Sequence, residues 1–209
     1  WNGTAEYTQA FFYFLAHDPS VPPSLQKEVN EWGLSKDEFV DNGYFPYQLY
    51  IREGRRMVGV YVMRQADLQT TRTKPDSIGM GSYQSDSHNI QRVAREDGTV
   101  TNEGDVQVAV QPYEIPLRVM LPRKDEVENL LVPVCLSASH VAYSSVRMEP
   151  QYMMIGQAAG VVASLAVQEG VAVQDVSVPS VQKKLHERKA VLHLMDAEAN
   201  PKAPQGSRD

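Results

Sequence analysis

Cysteine occurs once in these 209 residues, at Cys135, which excludes an internal disulfide and leaves the redox compartment unread. Basic residues are short as well. Lysine and arginine number 20 against 26 acids, for a net charge of −6, and phosphate neutralisation needs the opposite balance, so nucleic acid is excluded as a partner. No stretch has the apolar length to span a bilayer. The five histidines, His17, His88, His140, His186 and His193, show no paired spacing with cysteine or acids, so no metal site is expected. Gly-x-Ser-x-Gly is absent, which removes a hydrolase elbow. The most informative absence is a Gly-x-Gly-x-x-Gly: Gly79 and Gly81 are followed by Ser82, Tyr83 and Gln84 with no third glycine. What remains, 42% apolar and 22% charged, is the composition of a globular chain with room for one large or two small domains.

Most of the signal lies between Asn129 and Ala166. Leu130 to Val134 is a short apolar run between polar residues and reads as a buried strand. A polar loop, Ser137 to Arg147, carries no charge before Arg147. Pro150 then stands where a helix starts, and the helix runs to Gln168 with Gly170 as its stop. Within it Gly156, Ala159, Gly160 and Ala163 are three and four apart, a face small enough for a backbone or ligand to approach. A helix N-terminus aimed at a polar loop suits an electron-rich group.

Elsewhere the pattern predicts helices over Thr4–Ala16 and Ser24–Trp32, a capped helical turn over Ser35–Val40 and a short helix within Val62–Lys74. Gln48–Ile51 and Met57–Met63 are β-rich, while Tyr83–Arg92, Val106–Val110 and Tyr113–Met120 alternate as strands. A turn is expected at Pro122–Glu128, a final helix over Ser180–Leu194, and a frayed end rich in proline, glycine and charge from Asn200.

Asn129–Val132, Ser137–His140, Arg147–Pro150 and Gly156–Gly160 together resemble the closing motif of FAD-dependent oxidoreductases of the two-dinucleotide-binding-domain type. Arg52–Val62 and Ser77–Asn89 are similar to the same family, and the likeness covers most of Tyr7–Leu165. Pro133, Val134 and Cys135 depart from the Ala-Gly-Arg/Asp that many relatives carry after the strand. The resemblance implies an α/β (α+β) fold in two parts. Residues 1–112 would be a substrate or cap region on a mixed or antiparallel sheet. Residues 113–194 would be the C-terminal part of a Rossmann-like FAD-binding domain, and residues 195–209 a flexible tail. FAD and a small-molecule substrate are implied, and so is a preceding segment that carries the missing glycine-rich turn.

Two histidines are candidates for proton handling as hydride passes between substrate and flavin. His140 is either a neutral imidazole accepting a proton near pH 7 or a residue that orders its loop. His88, two residues from Asp86, pairs with it or is an ordinary polar strand residue. By resemblance the cofactor contacts are Ser139, Arg147, Pro150, Gly156, Gln157, Ala159 and Gly160, with Arg147 suited to an anion or carboxylate. Arg52, Arg56 and Tyr83 are the substrate-binding candidates, although a charge run such as Arg52–Arg56 is more often a solvated face. The function expected is hydride transfer between a small organic, hydroxylated or sugar-like substrate and flavin. The alternative is a binding or carbohydrate-active accessory module that retains the fold without redox chemistry. Because the glycine-rich turn is missing, these residues expressed alone are expected to purify without FAD. Absorbance in the flavin region of the purified chain checks this, and stoichiometric flavin would contradict it.

Overall fold

Helix α1 (Asn2–His17) forms where the aromatic-rich run predicts it and stops at Asp18, whose backbone turns extended (φ −72°, ψ 131°) before Pro19. The computed structural model describes residues 1–49 and 53–194 and divides into two compact units, Trp1–Glu53 and Gly54–Asp209. In the first unit the Asp18 carboxylate accepts from the Ser20 hydroxyl at 2.6 Å and the Ser20 N–H at 2.9 Å, and these bonds hold it below the usual carboxylate range. Helix α2 (Pro23–Val29) is stitched back to α1 by the Gln26 amide on the Asp18 carbonyl (2.6 Å) and the Asn30 amide on the Ala16 carbonyl (3.1 Å). The helical turn expected over 35–40 is absent. Phe39 takes φ +53°, which ends any right-handed turn there, and a single 3-10 turn, Val40–Asn42, follows. Gly43 breaks the turn as expected, with φ +64°.

The second unit is built on an antiparallel pair, β1 (Ser77–Gly81) with β6 (Tyr113–Pro116), in which Gly81 faces Tyr113 and a bulge lies between Ser77 and Gly79. This pair joins residues on both sides of Pro112. Helix α5 (Glu149–Glu169) packs on β1 and on α6 (Val178–Glu187). Its buried residues Ile155, Ala158, Val162 and Leu165 recur at three and four, one stripe turned to the core. The opposite stripe is uncovered: a methyl group added to Gly156 or Gly160 would meet nothing within 4 Å. Gly170 ends the helix in the left-handed region (φ +66°), its N–H on the Ala166 carbonyl.

From the end of β1 the chain runs out as a two-stranded ribbon. Its root pairs β2 (Ser85–Asp86) with β5 (Gln107–Val108), and its tip pairs β3 (Gln91–Ala94) with β4 (Val100–Glu103). A short helix α3 (Gln65–Gln69) and helix α4 (His140–Val146) complete the unit, so the class is α+β with small antiparallel sheets. No helix among the described residues is long and apolar enough to cross a membrane, and none of their His, Cys, Asp or Glu side chains cluster as a metal site.

Several expected elements differ. Leu130–Val134 is not a buried strand: Leu130 and Val134 are about half exposed, and Pro133 has no N–H to give a ladder. The buried segment begins at Leu136 instead, where Ser137 N–H donates to the Val119 carbonyl and Ser139 N–H to the Met63 carbonyl. Met57–Met63 is extended but makes scattered backbone bonds, to Cys135, Leu121, Ser137 and Ser139. The strand expected to Met120 bends after Pro116 into a 3-10 turn, Leu117–Met120. Most of the polar loop 137–147 is helix α4, because the Ser139 hydroxyl caps it by accepting from Ala142 N–H. The last helix stops at Glu187, and Lys189 adopts φ +62° to turn the chain back, so that Leu192 is buried and its carbonyl accepts from the Ser77 hydroxyl at 2.7 Å. Tyr50, Ile51, Arg52 and the expected tail 195–209 lie outside the described residues.

One buried ion pair closes the loop between α3 and β1. Asp67 and Lys74 are both nearly inaccessible and 3.1 Å apart. Burial alone would raise the Asp67 carboxyl. The Tyr61 hydroxyl (2.5 Å), the Arg64 N–H (2.7 Å) and Lys74 outweigh it, and the group is held below its ordinary value. A depressed carboxyl adds stability that is present above the unfolded pKa and is lost as pH falls through the folded one. Asp67→Asn is therefore expected to cost about 3 kcal/mol at pH 7 by stranding Lys74. The cost should shrink below about pH 4, where the unfolded carboxylate takes up its proton. Urea unfolding of both proteins across that range is the measurement.

Candidate functional site

Three methionine side chains, Met80, Met148 and Met154, share the wall of an open cavity of about 470 Å³ with Gly81, Ser82, Tyr83, Glu149, Pro150 and Gln151. One wall is the end of β1 and the residues after it; the other is the start of α5. The position of that helix start follows from sequence. Pro150 in the first turn has the φ a helix needs and no N–H to leave unused, while Met148 supplies no side-chain cap. The first turn therefore leaves backbone N–H groups without intrahelical acceptors beside the cavity, at the positive end of a 21-residue helix.

Gln151 is the unusual member. Its residue is 7% exposed, its carboxamide makes no hydrogen bond among the described residues, and it lines the cavity. Its polar atoms are reached by solvent rather than sealed in the core, so the carboxamide offers the open cavity both a donor and an acceptor. The thioethers suit a flat aromatic body, since sulfur against a ring edge is favourable. Among the described residues no lysine, arginine or histidine is in the wall, and Glu149 is its one carboxylate.

Behind the β1 wall stands a buried chain of hydroxyls. Ser145 Oγ–H donates to the Tyr83 carbonyl, so at the 2.7 Å contact between Tyr113 and Ser145 the phenol is the donor. Burial, eased slightly by Ser145, pushes the Tyr113 hydroxyl up to about 12, which keeps it protonated and donating at neutral pH. Arg147, 8% exposed, adds a second tie: its Nη2 donates to the Asp86 carbonyl at 2.5 Å. Both side chains reach from the end of α4 to the segment that carries Tyr83.

The residues expected from sequence are thus divided. Tyr83 and Pro150 are in the cavity wall. Arg147 closes α4 just before that wall, with its guanidinium on a main-chain carbonyl. Ser139 caps α4 and His140 opens it, half-buried; neither lines the cavity. His88 is exposed on the ribbon. Gly156, Gln157, Ala159 and Gly160 lie within about two turns beyond the cavity; Gly156 and Gly160 have open space beside them, while Ala159 packs against the core. Arg56 donates from Nε to the Ala138 carbonyl at 3.0 Å and sits 5.1 Å over the Tyr143 ring. That ring belongs to a second hydroxyl pair: Tyr143 donates to the Val134 carbonyl (3.1 Å) and accepts from Tyr152 (2.7 Å). Burial, together with the bond to Tyr143, lifts the Tyr152 hydroxyl far above its ordinary value.

Gln151 was not singled out from sequence, although its place next to the helix-opening proline puts it in the turn where ligand contacts concentrate. The methionines carried no signal, because thioethers are equally at home in a core.

A family model described as FAD dependent oxidoreductase matches residues 2–185. Comparison with curated proteins and with solved structures finds no match.

Gly81 has no room for a side chain. A methyl group there would sit 2.6 Å from the Tyr113 ring, which is fully buried and anchored through its hydroxyl. Gly81→Ala is expected to cost about 1–3 kcal/mol by overpacking, whereas Gly156→Ala, on the uncovered stripe, should stabilise the helix by up to about 1 kcal/mol. Thermal or urea unfolding of the two variants checks the contrast.

Proposed function

This chain belongs to the FAD-dependent oxidoreductase family, and we propose that the cavity at the start of α5 receives the pyrimidine edge of the FAD ring system. The observation that carries this reading is the unpartnered carboxamide of Gln151. An imide edge offers an N–H between two carbonyls. A carboxamide can pair with its donor and one acceptor, and helix N–H groups can take the other. The residues present fit a flat, uncharged ring. Among the described residues the wall holds no cation, and the helix N–H groups are what it offers to negative charge.

Bound FAD would supply a two-electron acceptor, and the rest falls to side chains. The methionines and Tyr83 hold the ring and exclude water from its edge. The helix N-terminus favours negative charge arriving on that edge by roughly 0.3–2 kcal/mol, which tunes reactivity without running the reaction. The substrate we assign is a small organic molecule, hydroxylated or sugar-like, oxidised by hydride loss as its hydroxyl proton leaves. Glu149 offers a carboxylate oxygen on the wall to take that proton; His140, which opens α4, is the second candidate.

The ring alone tests the assignment without involving the pyrophosphate. Lumiflavin, titrated against the purified chain and followed by its fluorescence, should bind with a Kd below a millimolar. Gln151→Leu should weaken binding about tenfold, the loss of roughly 1.4 kcal/mol of hydrogen bonding. A chain that leaves lumiflavin fluorescence unchanged at millimolar ligand fits the accessory-module reading and removes this one.

A further inference from the structure

Two side-chain hydrogen bonds cross from the end of α4 to the main chain of one cavity wall: Ser145 to the Tyr83 carbonyl and Arg147 to the Asp86 carbonyl. Main-chain carbonyls at a strand end are usually met by other main chain or by water. Here they are met by a fully buried hydroxyl and a guanidinium that is 8% exposed, both fixed by their own surroundings. Ser145 cannot turn away easily, because its oxygen already accepts from Tyr113, and the Tyr113 ring occupies the space left by the missing side chain of Gly81. The chain of dependence runs Gly81, Tyr113, Ser145, Tyr83, and its first and last members are both cavity-lining residues.

We propose that Tyr113, Ser145 and Arg147 are positioning residues that set the Tyr83 wall against the ring bound in the cavity, with no contact of their own to the ligand. This rests on the preceding assignment of the cavity to a flavin ring. It gives Arg147 a different task from anion capture: its Nη2 donates to the Asp86 carbonyl, and among the described residues the wall it braces carries no positive charge. It also separates the two halves of the site. Gln151 and the α5 start recognise the edge of the ring, while the braced wall presents the Tyr83 side chain to its face. A side chain aimed by a buried frame keeps its geometry when the ligand arrives, so less of the binding energy goes into ordering it.

The frame predicts a spectroscopic effect that a general loss of stability would not give. With the wild-type chain, bound lumiflavin should be quenched by the stacked Tyr83, and Tyr83→Leu should restore its emission. Ser145→Ala should weaken lumiflavin binding about tenfold and brighten the bound ligand as Tyr83→Leu does. Tyr113→Phe, which removes only the hydroxyl, should act in the same direction with a smaller effect, and it serves if Ser145→Ala does not fold. Val181→Ala, in α6 away from the cavity, is the control for destabilisation and should leave affinity and emission unchanged. Wild-type affinity and quenching in folded Ser145→Ala or Tyr113→Phe would overturn the frame alone, as would equal weakening by Val181→Ala. A wild-type chain that does not bind lumiflavin would overturn the cavity assignment and the frame with it.

Discussion

The second unit depends on the close approach of Gly81 and Tyr113 across the β1–β6 pair. Tyr113 is completely buried, and a phenol can be buried only if its hydroxyl finds a partner and its ring finds space. Both conditions are met by other parts of the chain. The ring fills the gap over a residue without a side chain, and the hydroxyl reaches Ser145 on α4. Sheet, α4 and cavity wall are thereby coupled through one side chain. Substituting a larger residue at Gly81 would move the ring, and the ring cannot move without releasing Ser145 and the carbonyl it holds. Strain here travels because the packing around it leaves no slack.

How much of this was legible beforehand depends on whether the cause is local. Helices α1, α2 and α5 could be read because capping, proline position and apolar spacing all act within a few residues. The start of α5 at Pro150 and its end at Gly170 are the clearest cases. Leu130–Val134 misled for the opposite reason. An apolar run of five has no period long enough to tell a buried strand from a half-exposed segment, and here tertiary contacts gave the buried place to Leu136–Ala138. The polar loop before Arg147 became helix because Ser139 caps it, a signal present in the sequence but outweighed by the expectation of a loop.

The site shows the same division. Pro150 and Tyr83 were read from motif and both stand in the cavity wall. Gln151 was not, because nothing in a sequence tells an amide bonded within the fold from one left open to a cavity; that distinction exists only once the neighbours are in place. The small residues of α5 were read as one face, yet Ala159 packs against the core while Gly156 and Gly160 have open space beside them, and none of them lines the cavity. Spacing reports which side chains align, and cannot report what, if anything, lies opposite.

Charge is what separates the labour within such a site. Among the described residues the wall has a carboxylate, a carboxamide, methionines and a helix N-terminus but no cation, so negative charge held there would be met by backbone N–H groups. The helix dipole acts there with a partial charge of about half a unit and over about one turn, so its influence is confined to atoms that reach the first turn. Arg147, the nearest arginine in sequence, could have reversed that balance had it turned into the cavity. With Nη2 on the Asp86 carbonyl, it ties the end of α4 to the segment that carries Tyr83.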